Sequence, residues 1–172
     1  LSLSLSTAEK SPYELAVESY EESIRLRRDY LEPYLSLGLL YARKNRCELA
    51  IEQFNDVIDL DEKNITSYSG LVDCYIKQER FDEAIQNLSI LERLEPSEID
   101  HNIRKAKVFL ILERYKEAKA EYQKILQKDP GNDIAQTKID SISTLISMLN
   151  QINSLIKQAD KSLKAGKFSD AI

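Results

Sequence analysis

Turn-forming residues are scarce in this sequence, with four glycines and four prolines in 172 residues. A compact β or α/β domain needs more of both, because sharp chain reversals draw on their special backbone geometry. Long helices joined by short turns need few. Cysteine is nearly missing too. Cys47 and Cys74 lie in unrelated local contexts with no CxxC spacing, which argues against a disulfide framework or a zinc site. Both read as small buried apolar residues in a reducing compartment. The single histidine, His101, has no second histidine or cysteine with which to build a metal site, and near a helix start it reads as solvated. Gly38, Gly70, Gly131 and Gly166 are scattered, so no phosphate-cradling loop is expected. Neither cofactor nor metal nor catalytic residue is expected, and the chain is read as not an enzyme.

No apolar run is long enough to span a bilayer, and no signal peptide precedes the first motif, so membrane insertion is not expected. Basic clusters are missing as well. The net charge is −5, with acids and bases interspersed, and no aromatic-plus-basic platform that would favour nucleic acid. A cytoplasmic location is the simplest reading. The sequence starts at Leu1 and ends at Ile172 within a motif, which reads as a piece of a longer protein. Two glycosylation sequons, at Asn64 and Asn87, would matter only in a secretory compartment.

What is present is a repeat. Residues 31–64, 65–98 and 99–132 align without a gap at a period of thirty-four. The eleventh column reads Tyr41, Tyr75, Phe109, the seventeenth Cys47, Phe81, Tyr115, and the twentieth Ala50, Ala84, Ala118. The twenty-fourth reads Phe54, Leu88, Tyr122, and Pro96 and Pro130 close the second and third units. Within each unit apolar residues recur at threes and fours, one face of a helix. The alanine column lets two helices approach closely, and the tyrosines Tyr34, Tyr68, Tyr41 and Tyr75 read as packing. Residues 11–30 fit the same register as a half unit containing only a second helix, started by a capping box at Ser11-Pro12-Tyr13-Glu14.

These columns resemble the tetratricopeptide-repeat (TPR) family, whose unit is a helix–turn–helix of this length. The resemblance covers residues 11–132 well and 155–172 partially. Glu62 replaces a closing proline, Lys105 sits in a usual leucine column, and the family's tryptophan is missing. The implied fold is all-α: a right-handed superhelix, or α-α solenoid, of stacked units with one long helix near the C-terminus. Residues 1–10 read as an irregular segment or tag, with a strand-like alternation in LSLSLS. Residues 133–164 read as one long amphipathic helix of about 48 Å, with a bend near Asn150–Asn153 left open. Residues 165–172 read as a turn and the start of a further truncated TPR helix. Ser141 to Ile156 carries no charge. It is either sheltered between the last repeat and the next, or a surface for self-association or partner docking.

The resemblance also implies a binding face. First helices line the inner wall in this family, which here selects Leu35, Leu39 and Arg43 in one unit. The next contributes Ser69, Asp73, Ile76 and Lys77, and the third Ile103, Arg104, Lys107, Leu110 and Ile111. Apolar anchors beside cations suit an extended or helical peptide with some acidic character. The carboxylate clamp of chaperone-binding TPR domains would fall at Leu35, Leu39, Gly70, Asp100 and Arg104, of which only Arg104 fits. The expected function is a protein–protein interaction scaffold. The alternatives are a chaperone-like domain holding unfolded clients, similar to the endoplasmic-reticulum J-domain co-chaperone, or the regulatory repeats of a larger enzyme.

Overall fold

The computed structural model describes residues 10–169, the last five by their backbone. The strand-like alternation of residues 1–9 and the final three residues lie outside the described part. Eight helices and no strand are present among the described residues. They are α1 (Pro12–Leu26), α2 (Leu31–Arg43), α3 (Cys47–Leu60), α4 (Ile65–Lys77), α5 (Phe81–Leu94), α6 (Asp100–Ile111), α7 (Tyr115–Lys128) and α8 (Asp133–Ser169). They form two compact units, one ending at Pro96 and the other beginning at Ser97.

The helix pairs α2/α3, α4/α5 and α6/α7 are built by one repeated turn. Asn45, Glu79 and Glu113 occupy the same column and share a left-handed backbone, with φ of 57°, 58° and 56°. Each begins a Schellman closure of the first helix. The Arg46, Arg80 and Arg114 amides donate to the carbonyls of Tyr41, Tyr75 and Phe109 at 2.8–2.9 Å, and the left-handed residues donate to Ala42, Ile76 and Leu110 at 3.1 Å. The next helix starts immediately. Arg80 then stacks on the Tyr75 ring at 4.5 Å and pairs with Glu83 at 2.8 Å. Arg114 does the same with Phe109 and Glu117, at 4.6 and 2.9 Å. Turn, cation–π contact and ion pair therefore recur together in the second and third pairs, whereas Arg46 of the first lies over the Tyr13 ring at 5.4 Å; none of the three turns contains glycine.

In the first unit the alanine column works as a spacer: Ala50 and Ala84 are fully buried. Phe54 on α3 is the central knob. It is fully buried, and its ring lies where side chains at Gly38 of α2 and Gly70 of α4 would project. A Cβ at Gly70 would stand 2.4 Å from Phe54 Cε2 and Cζ, and one at Gly38 2.9 Å from Cε1. Two helices thus approach α3 because they lack a side chain at the point of contact. Tyr41, Tyr68 and Tyr75 are buried in the same core, while Tyr34 is half-buried. The Ser11–Glu14 capping box of α1 forms in both directions.

The cysteines belong to this core as well. Cys47 and Cys74 are buried with free thiols, yet they are not unrelated in space: Cys47 is among the groups that act on the Cys74 thiol. Burial, and after it Cys47, pushes the Cys74 thiol up to about 12, so it stays protonated and unreactive.

The second unit departs from the repeat in an instructive way. Asn102 and Lys105 stand in columns held by Tyr68 and Leu71 one unit earlier, and Glu121 stands in that of Asn87. All three are buried. The Asn102 amide donates to Glu121 at 2.8 Å, Lys105 lies 3.4 Å from the same carboxylate, and Lys124 donates to it at 3.0 Å. Lys128 donates to Asn102 Oδ1 at 2.6 Å. A polar network replaces an apolar contact, and its members satisfy one another. His101 also departs from expectation. It is only 7% exposed, because its position on α6 lies in the packed face one residue before Asn102.

α8 begins as a first helix would, with Asn132 accepting from the Ala135 amide at 3.0 Å. Ala135, Ile139 and Ile142 are buried, on the part of α8 that packs against α7. It runs on as one helix, unbroken at Asn150–Asn153. Where a turn was expected from Ala165, the helix continues through Ser169. A single glycine costs a helix only about 1 kcal/mol, and Gly166 is flanked by good helix formers. The shelter expected for Ser141–Ile156 extends only to Ile146, for residues 147–164 are all exposed.

Candidate functional site

In the first unit, α2 and α4 lie side by side, and each buries one stripe and leaves another open. Leu37 and Tyr41 on α2 and Leu71, Val72 and Tyr75 on α4 face the core. The open stripe carries the residues selected from sequence. Leu39, Arg43, Asp73 and Lys77 are exposed, and Leu35, Ser69 and Ile76 are half-buried. Leu39 is 41% exposed. The structure therefore brings seven of the candidates onto two neighbouring helices, with apolar groups beside a cation at each C-terminal end. Helix C-termini favour such cations.

In the second unit the remaining candidates lie on α6. Lys107 and Ile111 are exposed, while Ile103, Arg104 and Leu110 are half-buried. Of the carboxylate-clamp positions, Leu35 and Leu39 carry no charge. Gly70 is pressed against Phe54, and Asp100 opens α6 with an acid. That clamp has no counterpart at these residues.

A groove of about 520 Å³ was not foreseen. It lies among α1, α2 and α3 and is lined by residues including Glu21, Arg25, Arg28, Tyr34, Glu52 and Asp56. Burial, then Glu52 and Asp59, raises the Asp56 carboxyl above its usual range. Burial and then Glu21 raise the Tyr41 phenol at the same edge. The sequence signal was available: Glu52, Asp56 and Asp59 share one face of α3 at helical spacing. No group of histidines, cysteines or acids among the described residues is arranged to hold a metal. No described helix is long and apolar enough to cross a membrane.

Comparison with known proteins agrees with this architecture. Family models for the tetratricopeptide repeat match residues 31–64 and 70–133. No curated protein matches by sequence. Among solved structures, MamA is similar with a TM-score of 0.67 at 18% identity, over 88% of this chain and 91% of that one. YrrB, "a TPR protein with an unusual peptide-binding site", is similar with a TM-score of 0.60 at 21% identity, over 78% of this chain and 70% of that one. The first TPR of Spaghetti (RPAP3), bound to the HSP90 peptide SRMEEVD, gives 0.57 at 20% identity, over 68% and 93%. Those likenesses establish the fold, and the repeat models cover more than half of the sequence. The chain belongs to the tetratricopeptide-repeat family.

Proposed function

We propose that this chain is a protein–protein interaction scaffold that holds a peptide or helical segment of a partner on the open face of its first helices. The observation that carries this reading is the stripe on α2 and α4. Leu39 is exposed, with Leu35 and Ile76 half-buried and Arg43 and Lys77 nearby. Exposed aliphatic groups flanked by cations are what an acidic peptide with spaced apolar anchors requires. YrrB and the RPAP3 repeat are fold relatives described with peptides or peptide sites, which is consistent with this use of the architecture. The HSP90 peptide of the latter ends in EEVD, but the missing clamp disfavours that ligand here.

The test is binding of fluorescent peptides that alternate leucine with aspartate or glutamate, before and after replacing Leu39 and Lys77 together with alanine. Loss of one apolar anchor and one cation should weaken binding by about 10- to 100-fold, while the helical signal and melting temperature hold. Unchanged affinity in the double variant would overturn the assignment of this face.

A further inference from the structure

The groove of about 520 Å³ among α1, α2 and α3 combines three kinds of lining. Its floor is apolar, with Ile24 half-buried and Leu37 buried. Tyr34 adds a half-buried phenol ring. Glu52 and Asp56, one helical turn apart on α3, form an acidic wall.

The repeat does not demand that wall. Glu52, Asp56 and Asp59 stand in columns that read Gln86, Ile90 and Arg93 in the next unit and Ala120, Lys124 and Gln127 in the third. α3 contains Glu48, Glu52, Asp56 and Asp59 but no base, and its last turn lacks the cation that α5 and α7 place there as Arg93 and Lys128. Carboxylates toward a helix C-terminus oppose its dipole. Nor does the chain neutralise them. Among the described residues, Glu52, Asp56 and Asp59 have no ion-pair partner. Arg25, in the same lining, is turned to Glu22 and bonds both of its carboxylate oxygens. Burial and the neighbouring acids accordingly hold the Asp56 carboxyl above its ordinary range. A cation bound against an apolar floor would relieve that repulsion.

We propose that this groove takes an arginine side chain from a partner protein. The methylene stem lies along Ile24 and Leu37, and the guanidinium reaches Glu52 and Asp56 beside Tyr34. Arginine suits the lining better than lysine. Its planar guanidinium bonds a carboxylate through two N–H groups and stacks on an aromatic ring, while its stem covers apolar surface. Arg28, the other cation in the lining, disfavours a run of basic residues and selects a partner with an isolated arginine. The groove shares no residue with the α2–α4 stripe, so this inference is independent of the peptide face and the two can be tested apart.

Fluorescence anisotropy of the 172-residue chain with two labelled hexapeptides tests it. One peptide carries a leucine and an arginine, and its twin carries citrulline, the uncharged isostere, in place of the arginine. At about 150 mM salt, where exposed charges are largely screened, the arginine peptide should bind saturably and the citrulline twin about tenfold more weakly or worse. Glu52→Gln with Asp56→Asn should weaken the arginine peptide by about tenfold or more and melt no lower than the parent, because it removes a repulsion. Glu79→Gln with Asp160→Asn, exposed acids outside the groove, changes the net charge equally and should leave binding as it was. So should Leu39→Ala with Lys77→Ala. No saturation of the parent by about 1 mM, equal binding of the citrulline twin, or equal weakening by the Glu79 and Asp160 pair overturns the proposal. A lower melting temperature for the Glu52 and Asp56 pair overturns the repulsion on which it rests.

Discussion

Replacing Gly70 with alanine should destabilise the first unit, although alanine is the better helix former. In an open helix the exchange gains about 1 kcal/mol. Here the new Cβ would stand 2.4 Å from two ring carbons of Phe54. The ring is fully buried, and Gly38 confines its opposite edge, where a Cβ would already lie 2.9 Å away. Phe54 therefore has no free direction in which to retreat. Overpacking of this kind costs about 1–3 kcal/mol, or more where nothing can move, so the net expectation is a loss of about 1–2 kcal/mol. For a unit of this size that lowers the melting temperature by several degrees. Thermal and denaturant unfolding of Gly70→Ala, Phe54→Leu and the double variant would measure it. The two changes should couple, with Gly70→Ala costing much less when leucine replaces the ring. A Gly70→Ala protein as stable as the parent, or costs that simply add, would refute the clasp.

Other expectations follow from the turns and the polar network. Glu79→Gly should stabilise by a few tenths to about 1 kcal/mol, because relief of a left-handed residue outweighs the added freedom of the unfolded chain; a lower denaturation midpoint would contradict it. Glu121→Ala should cost about 3–5 kcal/mol by leaving Lys105 buried without its carboxylate. Lys105→Leu combined with Glu121→Gln should cost much less, and equal losses would count against the pairing. Glu83 is held below its ordinary 4.5 by its own backbone N–H and by Arg80, and Glu117 by Arg114 and then its own N–H. A lowered carboxyl contributes stability above its unfolded value and loses it as pH falls through the folded one. Unfolding midpoints should therefore drop below about pH 4.5, and the drop should flatten in an Arg80→Gln, Arg114→Gln variant.

Much of this architecture was legible because a thirty-four-residue repeat shows each contact three times. The alanine column, the aromatic column and the helix boundaries near residues 45, 79 and 113 could be read as columns. The left-handed turn itself could not, since asparagine and two glutamates occupy it and only the hydrogen-bond closure reveals it. Lys105 and Asn102 stood out as departures, but their compensation by Glu121 depends on two helices meeting, which no local pattern encodes. His101 was misread for the same reason. Gly70 looked like an open-face residue by column and proved to be the socket for the Phe54 ring, which sits sixteen positions earlier on α3. The cysteines, twenty-seven positions apart, meet only because α3 stacks on α4. On α8, the difference between a buried repeat helix and an uncovered one is absent from its apolar content and present only in how far α7 reaches.

The most direct measurement is amide chemical-shift mapping of the isotope-labelled chain during titration with the acidic, leucine-spaced peptide. Saturable shifts should concentrate at Leu35, Leu39, Asp73 and Lys77 and disappear in the Leu39→Ala, Lys77→Ala variant. Shifts gathered on α3, α5 or α8 instead, or no saturable response in the parent, would contradict the account.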